Sequence, residues 1–258
     1  MLRFKSLGSG SAGNATVVES HDGASCTRLL IDAGFTLKQL DARLGAAGLM
    51  AAQIDAVFVT HEHGDHIGCA AEFAQREQIR LWMSQGTHRA LGSPVLDGLL
   101  HLARDDEAIS IDALELRPFT VPHDAREPLQ VTCSDGARRL GVVSDLGHVT
   151  SHVLEHLARC DALLFECNHD LDLLASSNYP PSLKRRVGGP LGHLSNEAAA
   201  QALQALKHPG LKTVAASHLS AQNNRPELVR AALAQSLQCQ QEEILIADQA
   251  LGTGWLQA

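Results

Sequence analysis

Short apolar runs recur along this chain, and their period and punctuation separate strands from helices. Runs rich in Val, Ile or Leu and bounded by Gly, Pro, Asp or Asn predict strands over 15–19, 28–31, 56–60, 114–121, 140–144, 162–165, 213–217 and 244–247. Helical spacing places four helices between them. Residues 36–47 follow a Thr cap, and 150–159 carry Val153, Leu154 and Leu157 on one face. A third covers 195–207, with Ser195 at its start and Glu197 in its first turn, and a fourth covers 226–237 behind Pro226. Early strands follow one another directly, whereas later ones alternate with helices. That mixture predicts α/β sheets covered by helices, in one domain spanning 1–258, and not a doubly wound fold.

Most of these strands end in a residue with chemical capability: Asp32, His61, His123, Asp145, Glu166 and His218. Strand ends along one sheet edge are where catalytic groups gather in α/β proteins. A random scatter of acids and histidines would not favour those positions.

Gly8-Ser9-Gly10-Ser11-Ala12-Gly13 satisfies the glycine spacing of a dinucleotide fingerprint. That motif requires a helix next, with its N-terminus on the pyrophosphate. Here Ala15-Thr16-Val17-Val18 predicts a strand. The loop is therefore expected to be a tight turn between strands, whose backbone N–H groups could line a site.

The most specific signal is Thr60-His61-Glu62-His63-Gly64-Asp65-His66, directly after the apolar Ala56-Val57-Phe58-Val59. Residues two apart on an extended segment point the same way, so His61 and His63 can share one ion. A turn at Gly64 then carries Asp65 and His66 towards a second position. Imidazoles and carboxylates in this mixture suit Zn²⁺, Mn²⁺ or Fe²⁺. Four ligands cannot fill two sites, and His123, Asp145 and His218 at other strand ends can complete them.

Composition narrows the class. The 258 residues include 45% hydrophobic and only 3% aromatic positions, so Leu, Val, Ile and Ala must build the core. A net charge of −8 excludes a general nucleic-acid coater but allows a polyanion at one local site beside metal ions. Six cysteines without a C-x-x-C pair predict reduced thiols in a cytoplasmic protein. The N-terminus shows no apolar signal segment, and no apolar run is long enough to span a membrane.

Taken in order, the motifs resemble the metallo-β-lactamase fold superfamily, and within it the YycJ/WalJ-like branch, related to RNase Z and other nucleases of that fold. The resemblance is carried by Leu7-Gly8-Ser9-Gly10-Ser11-Ala12-Gly13-Asn14, Ile31-Asp32-Ala33-Gly34, the histidine motif 61–66 and Val121-Pro122-His123-Asp124-Ala125. It continues through Ser144-Asp145-Leu146-Gly147, Glu166-Cys167-Asn168-His169-Asp170, Gly192-His193-Leu194-Ser195-Asn196, and His218-Leu219-Ser220 before Asn223-Asn224. It implies a four-layer αββα sandwich with two divalent metal ions at one edge. His61, His63 and His123 would hold one ion, Asp65, His66 and His218 the other, and Asp145 would bridge. Asp65 would thereby also serve catalysis, and Asp32 would stand behind a ligand histidine and orient it. Asp145 occupies a place where one class of hydrolytic β-lactamases uses Cys, which argues against antibiotic hydrolysis.

The same resemblance implies a Glu–His pair for the departing oxygen, with His193 as general acid and Glu166 orienting it. Lys184-Arg185-Arg186 near His193 is expected to bind backbone phosphates, and Asn223 and Asn224 are expected among the substrate contacts. His148, His152 and His156 form a helical stripe read as surface. The implied activity is metal-assisted hydrolysis of a nucleic acid, DNA before RNA, as a 5′-to-3′ exonuclease. A glyoxalase II-like thioesterase with the same metal core is the alternative, and it has no need of Glu166, His193 or the basic run.

Overall fold

A computed structural model describes residues 1–21, 23 and 25–258. In chain order the strands are β1 (Leu2–Gly8), β2 (Ala15–His21), β3 (Cys26–Ile31), β4 (Ala56–Phe58), β5 (Arg80–Ser84), β6 (Leu100–Ala103) and β7 (Ile109–Ile111). They continue with β8 (Leu114–Thr120), β9 (Leu129–Ser134), β10 (Arg139–Val143), β11 (Ala162–Glu166), β12 (Thr213–Ser217), β13 (Ile244–Ile246) and β14 (Leu256–Gln257). Among the described residues they form two seven-stranded sheets, ordered β14-β1-β2-β3-β4-β5-β6 and β13-β12-β11-β10-β9-β8-β7. In each sheet an antiparallel run gives way to parallel strands. The change falls between β3 and β4 in one and between β10 and β11 in the other.

The period-two alternation of strand side chains builds the layers. In β3 and β4, Leu29, Ile31, Ala56 and Phe58 face the second sheet. Leu30, Val57 and Val59 face outward onto Leu40 and Leu44 of α1 (Leu37–Ala46). In β11 and β12, Ala162, Leu164 and Ala215 meet the first sheet, while Leu163, Phe165, Val214 and Ala216 face the other helical layer. Both faces of the central strands are covered, which is why they read as continuous apolar runs. Three cores in series give the helix–sheet–sheet–helix sandwich. Each fully buried Phe or Leu contributes about 1.5–3 kcal/mol to it.

The remaining helices are α2 (Gly64–Ile67), α3 (Ala70–Glu77), α4 (Gln85–Ala90), α5 (Ser151–Leu157), α6 (Leu171–Ser176), α7 (Pro181–Val187), α8 (Asn196–Leu206) and α9 (Pro226–Leu237). The expected caps form: Thr36, Thr150 and Ser195 each accept a hydrogen bond from a backbone N–H in the first turn of α1, α5 and α8. Six strands go beyond the expected set: β1, β5, β6, β7, β9 and β14. Among the described residues no helix is long and apolar enough to cross a membrane, and all six cysteines are free.

The glycine loop is the expected turn, joining antiparallel β1 and β2. Its amides are turned inward, however. Gly10 N donates to Asn14 Oδ1, Ala12 N to Gln249 Oε1, Gly13 N to Gly10 O and Asn14 N to Asp65 O. The histidine stripe also departs from expectation. His156 is buried and stacks on Phe119, with ring centroids 4.9 Å apart, while His152 pairs with Asp105 and His148 sits in the loop before α5.

Candidate metal centre

Parallel strands all point their C-terminal ends one way, so the two sheets deliver polar side chains to a common edge. From the first sheet come Asp32 after β3 and the 61–66 motif after β4. From the second come His123 after β8, Asp145 after β10, Glu166 at the end of β11 and His218 after β12. Asp32, Asp145 and His218 have φ of 59°, 48° and 54°, the left-handed region. Asp and His tolerate it better than most residues, and such strain concentrates at functional sites. The turn at each strand end folds the side chain back between the sheets.

Hydrogen bonds fix which ring nitrogens face inward. His123 Nδ1 donates to the Gly192 carbonyl at 3.1 Å, which leaves Nε2 turned to His63 Nδ1 at 3.2 Å. The Thr60 hydroxyl donates to Asp32, 2.9 Å away, and so accepts from His61 Nδ1 at 3.0 Å. His61 Nε2 then lies 3.0 Å from His63 Nδ1. Three ring nitrogens thus converge with few protons to share. Donors on a tetrahedral ion with bonds of about 2.0–2.1 Å are about 3.3 Å apart, close to what is found here. Burial, then the charge of neighbouring imidazoles, lowers the pKa of His61 well below the usual histidine value, and burial lowers that of His123, so both offer lone pairs.

Asp65, His66 and His218 form a second group of convergent ligand atoms. Asp65 Oδ2 lies 3.4 Å from His218 Nε2 and 3.6 Å from His66 Nε2. Between the groups stands Asp145, whose Oδ2 is 2.5 Å from His66 Nε2 and 4.0 Å from His61 Nε2. That oxygen is buried and lacks a properly directed hydrogen bond. Burial opposes charge on His66 and His218, yet Asp145 leads the neighbouring groups that raise both pKa values, His218 to about 9. The carboxylates therefore demand positive charge at this spot, from imidazole protons or from bound cations. Donor set, spacing and the orphaned Asp145 oxygen all fit divalent metal ions.

Asp32 Oδ2 receives His66 Nδ1 at 2.7 Å, and its Oδ1 receives Thr60 N at 2.8 Å. Asn14, at the end of the glycine loop, reaches His66 Nε2 at 3.1 Å and the Asp65 carbonyl at 3.2 Å. Gly34 makes this close approach possible. A Cβ there would lie 1.7 Å from the Asp65 carbonyl oxygen. Gln130 of β9 bonds both backbone groups of Ser144, which holds the turn into Asp145. Asn14, Thr60 and Gln130 were not among the expected site residues. Asn14 and Thr60 carried a signal, Asn14 at the end of the glycine motif and Thr60 at the head of the histidine motif; Gln130 carried none.

Beside Asp145, His193 Nδ1 donates to Glu166 Oε1 at 2.8 Å and lies 3.1 Å from Asp145 Oδ1. Glu166 is buried, and its Oε2 accepts from the amides of Leu146 and Leu194. Burial would lower the pKa of His193, but the Glu166 charge and then the Asp145 hydrogen bond raise it to about 11. The expected pair is thus in contact.

Two expected substrate contacts are not presented to solvent. Asn223 is fully buried, and Asn224 uses its carboxamide on Cys167 O and reciprocally on Asn196. Asn224 thus braces the loops behind the site, while Asn223 Nδ2 donates to Ser220 Oγ at 3.3 Å and its buried Oδ1 has no hydrogen-bond partner. The basic run is also divided. Along α7 successive side chains turn by about 100°. Lys184 Nζ donates to the Ala175 carbonyl, Arg185 is exposed, and Arg186 Nε donates to Asp124.

Residues 8–218 match the family model of the metallo-beta-lactamase superfamily, and the chain belongs to that superfamily of metal-dependent hydrolases. It is 32% identical over 241 residues to exodeoxyribonuclease YycJ of Bacillus anthracis, covering 92% of this chain and 89% of that protein. It is 29% identical over 241 residues to exodeoxyribonuclease WalJ of Streptococcus pneumoniae, covering 92% and 88%. Among solved structures, Zn²⁺-bound PqqB from Methylobacterium extorquens superposes with a TM-score of 0.75 at 18% identity over 99% of this chain and 100% of that one, a likeness of fold.

Proposed function

We propose that this chain is a metal-dependent nuclease acting on DNA, as a 5′-to-3′ exonuclease. The observation that carries this reading is the Glu166–His193 pair, 2.8 Å apart and directly beside Asp145. Hydrolysis of a phosphodiester expels a sugar alkoxide of high pKa, which needs a proton donor separate from the metal ligands. A thioester has no such need. The exodeoxyribonuclease names of the YycJ and WalJ relatives support the same substrate class.

In this reading His61, His63 and His123 would hold one ion, Asp65, His66 and His218 the other, and Asp145 would be shared between them. Two divalent cations there, Zn²⁺, Mn²⁺ or Fe²⁺, would supply an activated water and neutralise charge on the phosphate. The chain's own groups do the rest. Asp32 fixes the ring of His66, Thr60 that of His61 and Gly192 that of His123, so these three ligands are oriented by the protein itself. His193 gives its Nδ1 proton to the Glu166 contact and keeps Nε2–H for the departing oxygen. Glu166, anchored by two backbone amides, keeps that imidazole protonated at neutral pH.

The test offers the purified, metal-loaded protein 5′- and 3′-labelled DNA and RNA beside a glutathione thioester. Mononucleotides released from the 5′ end of DNA are the expected product. Turnover of the thioester with intact nucleic acids would overturn the reading.

A further inference from the structure

The mouth of the centre is formed by the few site residues that reach solvent. His63 and Asp124 are each 29% exposed, Asp65 26% and His193 21%. Arg186 stands beside them, 60% exposed. Its Nε donates to Asp124 Oδ2 at 2.6 Å, and Asp124 Oδ1 lies 3.4 Å from His123 Nε2. One carboxylate therefore separates the guanidinium from the three-histidine group. The terminal nitrogens of Arg186 make no hydrogen bond among the described residues, although Asp65 also lies near enough to act on its charge.

The backbone carrying Arg186 is tied to the proposed acid. His193 N donates to Val187 O at 2.8 Å. A Cβ on Gly192 would lie 2.1 Å from the Arg186 carbonyl oxygen, so the two segments are in close contact. Asp124 N in turn donates to Leu191 O at 3.0 Å. Asp124, Arg186 and His193 are thus held as one unit across the mouth.

An arginine anchored through Nε with both Nη atoms open presents a fork that matches two oxygens of one phosphate. Asp32, Asp65, Asp124, Asp145 and Glu166 crowd this edge with negative charge, so an incoming polyanion needs a cation beyond any ions that hold its scissile group. Lys184 donates to the Ala175 carbonyl, whereas Arg186 is the member of the basic run that pairs with Asp124 at the mouth.

We infer that Arg186, presented by Asp124, grips the phosphate of the linkage next to the scissile one. Arg186 is then a substrate-binding residue and Asp124 its positioning residue. The inference rests on the nuclease reading and extends it to one linkage and one side chain of the basic run.

The test uses DNA oligonucleotides carrying a single neutral methylphosphonate at each linkage in turn. They are cut by the metal-loaded wild type and by Arg186→Ala, Arg186→Lys, Asp124→Ala and Arg185→Ala, with metal content measured for each. At one linkage beside the cut the wild type should lose about tenfold in kcat/KM, the scale of one charge-assisted contact. Arg186→Ala should lose about tenfold on all-phosphate DNA and nothing further from that methylphosphonate. Arg186→Lys should fall between the two, and Arg185→Ala, whatever it costs overall, should still respond to that methylphosphonate as the wild type does. Asp124→Ala, at full metal content, should raise KM and lose the same sensitivity. If the methylphosphonate costs wild type and Arg186→Ala equally at every linkage, the grip is overturned. Undiminished sensitivity in Asp124→Ala would remove the positioning role alone. Failure of the wild type to cut any oligonucleotide would overturn the nuclease reading, and this inference with it.

Discussion

Asp32 Oδ2 lies 2.7 Å from Nδ1 of His66, and this contact decides which nitrogen of that ring faces the cluster. The carboxylate places the proton on Nδ1 and leaves Nε2 for Asp145 and Asp65. Asp32→Asn keeps the shape but can donate instead of accept, which favours the wrong tautomer. Metal affinity should fall by about 10- to 100-fold. A competitive titration with a chromophoric chelator measures it, and unchanged affinity would reduce Asp32 to a structural brace for Thr60.

Among the described residues, Asp145 is the carboxylate that pairs with His61 of one group and His66 of the other. Its loss should cost more metal than the loss of a peripheral ligand. Asp145→Ala and His61→Ala should each release at least one ion and lose essentially all activity. Elemental analysis that returns a full complement from an active Asp145→Ala protein would refute bridging.

His193 touches Glu166 and Asp145 but belongs to neither three-residue group. His193→Ala should keep its metal yet cut DNA about 10²–10⁴-fold more slowly, the range for a lost general acid. A nitrophenyl phosphodiester has an acidic leaving group and needs no proton, so its hydrolysis should suffer far less. Equal losses on both substrates would make the residue a support.

Far from the centre, Glu19 is fully buried between Arg28 at 2.7 Å and Arg3 at 2.5 Å. Burial alone would raise its pKa, but hydrogen bonds from both arginines hold it below the ordinary glutamate range. A depressed carboxylate contributes stability above its unfolded value and loses it as pH falls through the folded value. Glu19→Gln should cost about 3 kcal/mol at pH 7, since one partner of a buried pair is removed. That difference should shrink below about pH 4.5. Thermal melts of both proteins between pH 3 and 7 check it, and a constant gap would contradict the linkage.

The sequence exposed the site because metal chemistry needs particular residue types, and strand ends put them in conspicuous places. His61 to His66, His123, Asp145 and His218 meet at one edge as their positions implied. The four helices announced themselves through caps and apolar period. Strand β9 is no continuous apolar run: Leu129, Val131 and Cys133 alternate with Gln130 and Thr132, a strand pattern in its own right, whose polar side is buried and partly spent on Ser144. Lys184, Arg185 and Arg186 looked like one patch because adjacency in sequence says nothing of direction on a helix. Asn223 and Asn224 differ from expectation because a motif does not reveal that both side chains are buried, with the Asn224 amide already paired.

The ligand atoms come from both sheets, so an ion bound there would tie together two halves of the core that meet mainly through apolar contact, with a few hydrogen bonds such as Leu129 N to Thr60 O between them. Native-state hydrogen exchange should then report the metal at a distance. Amides of β4 and β12, one from each sheet, gain protection together as free ion rises. A hundredfold excess over Kd adds about 2.7 kcal/mol to the cost of global opening. Chelation thus loosens the seam between the sheets before it disturbs the outer helices.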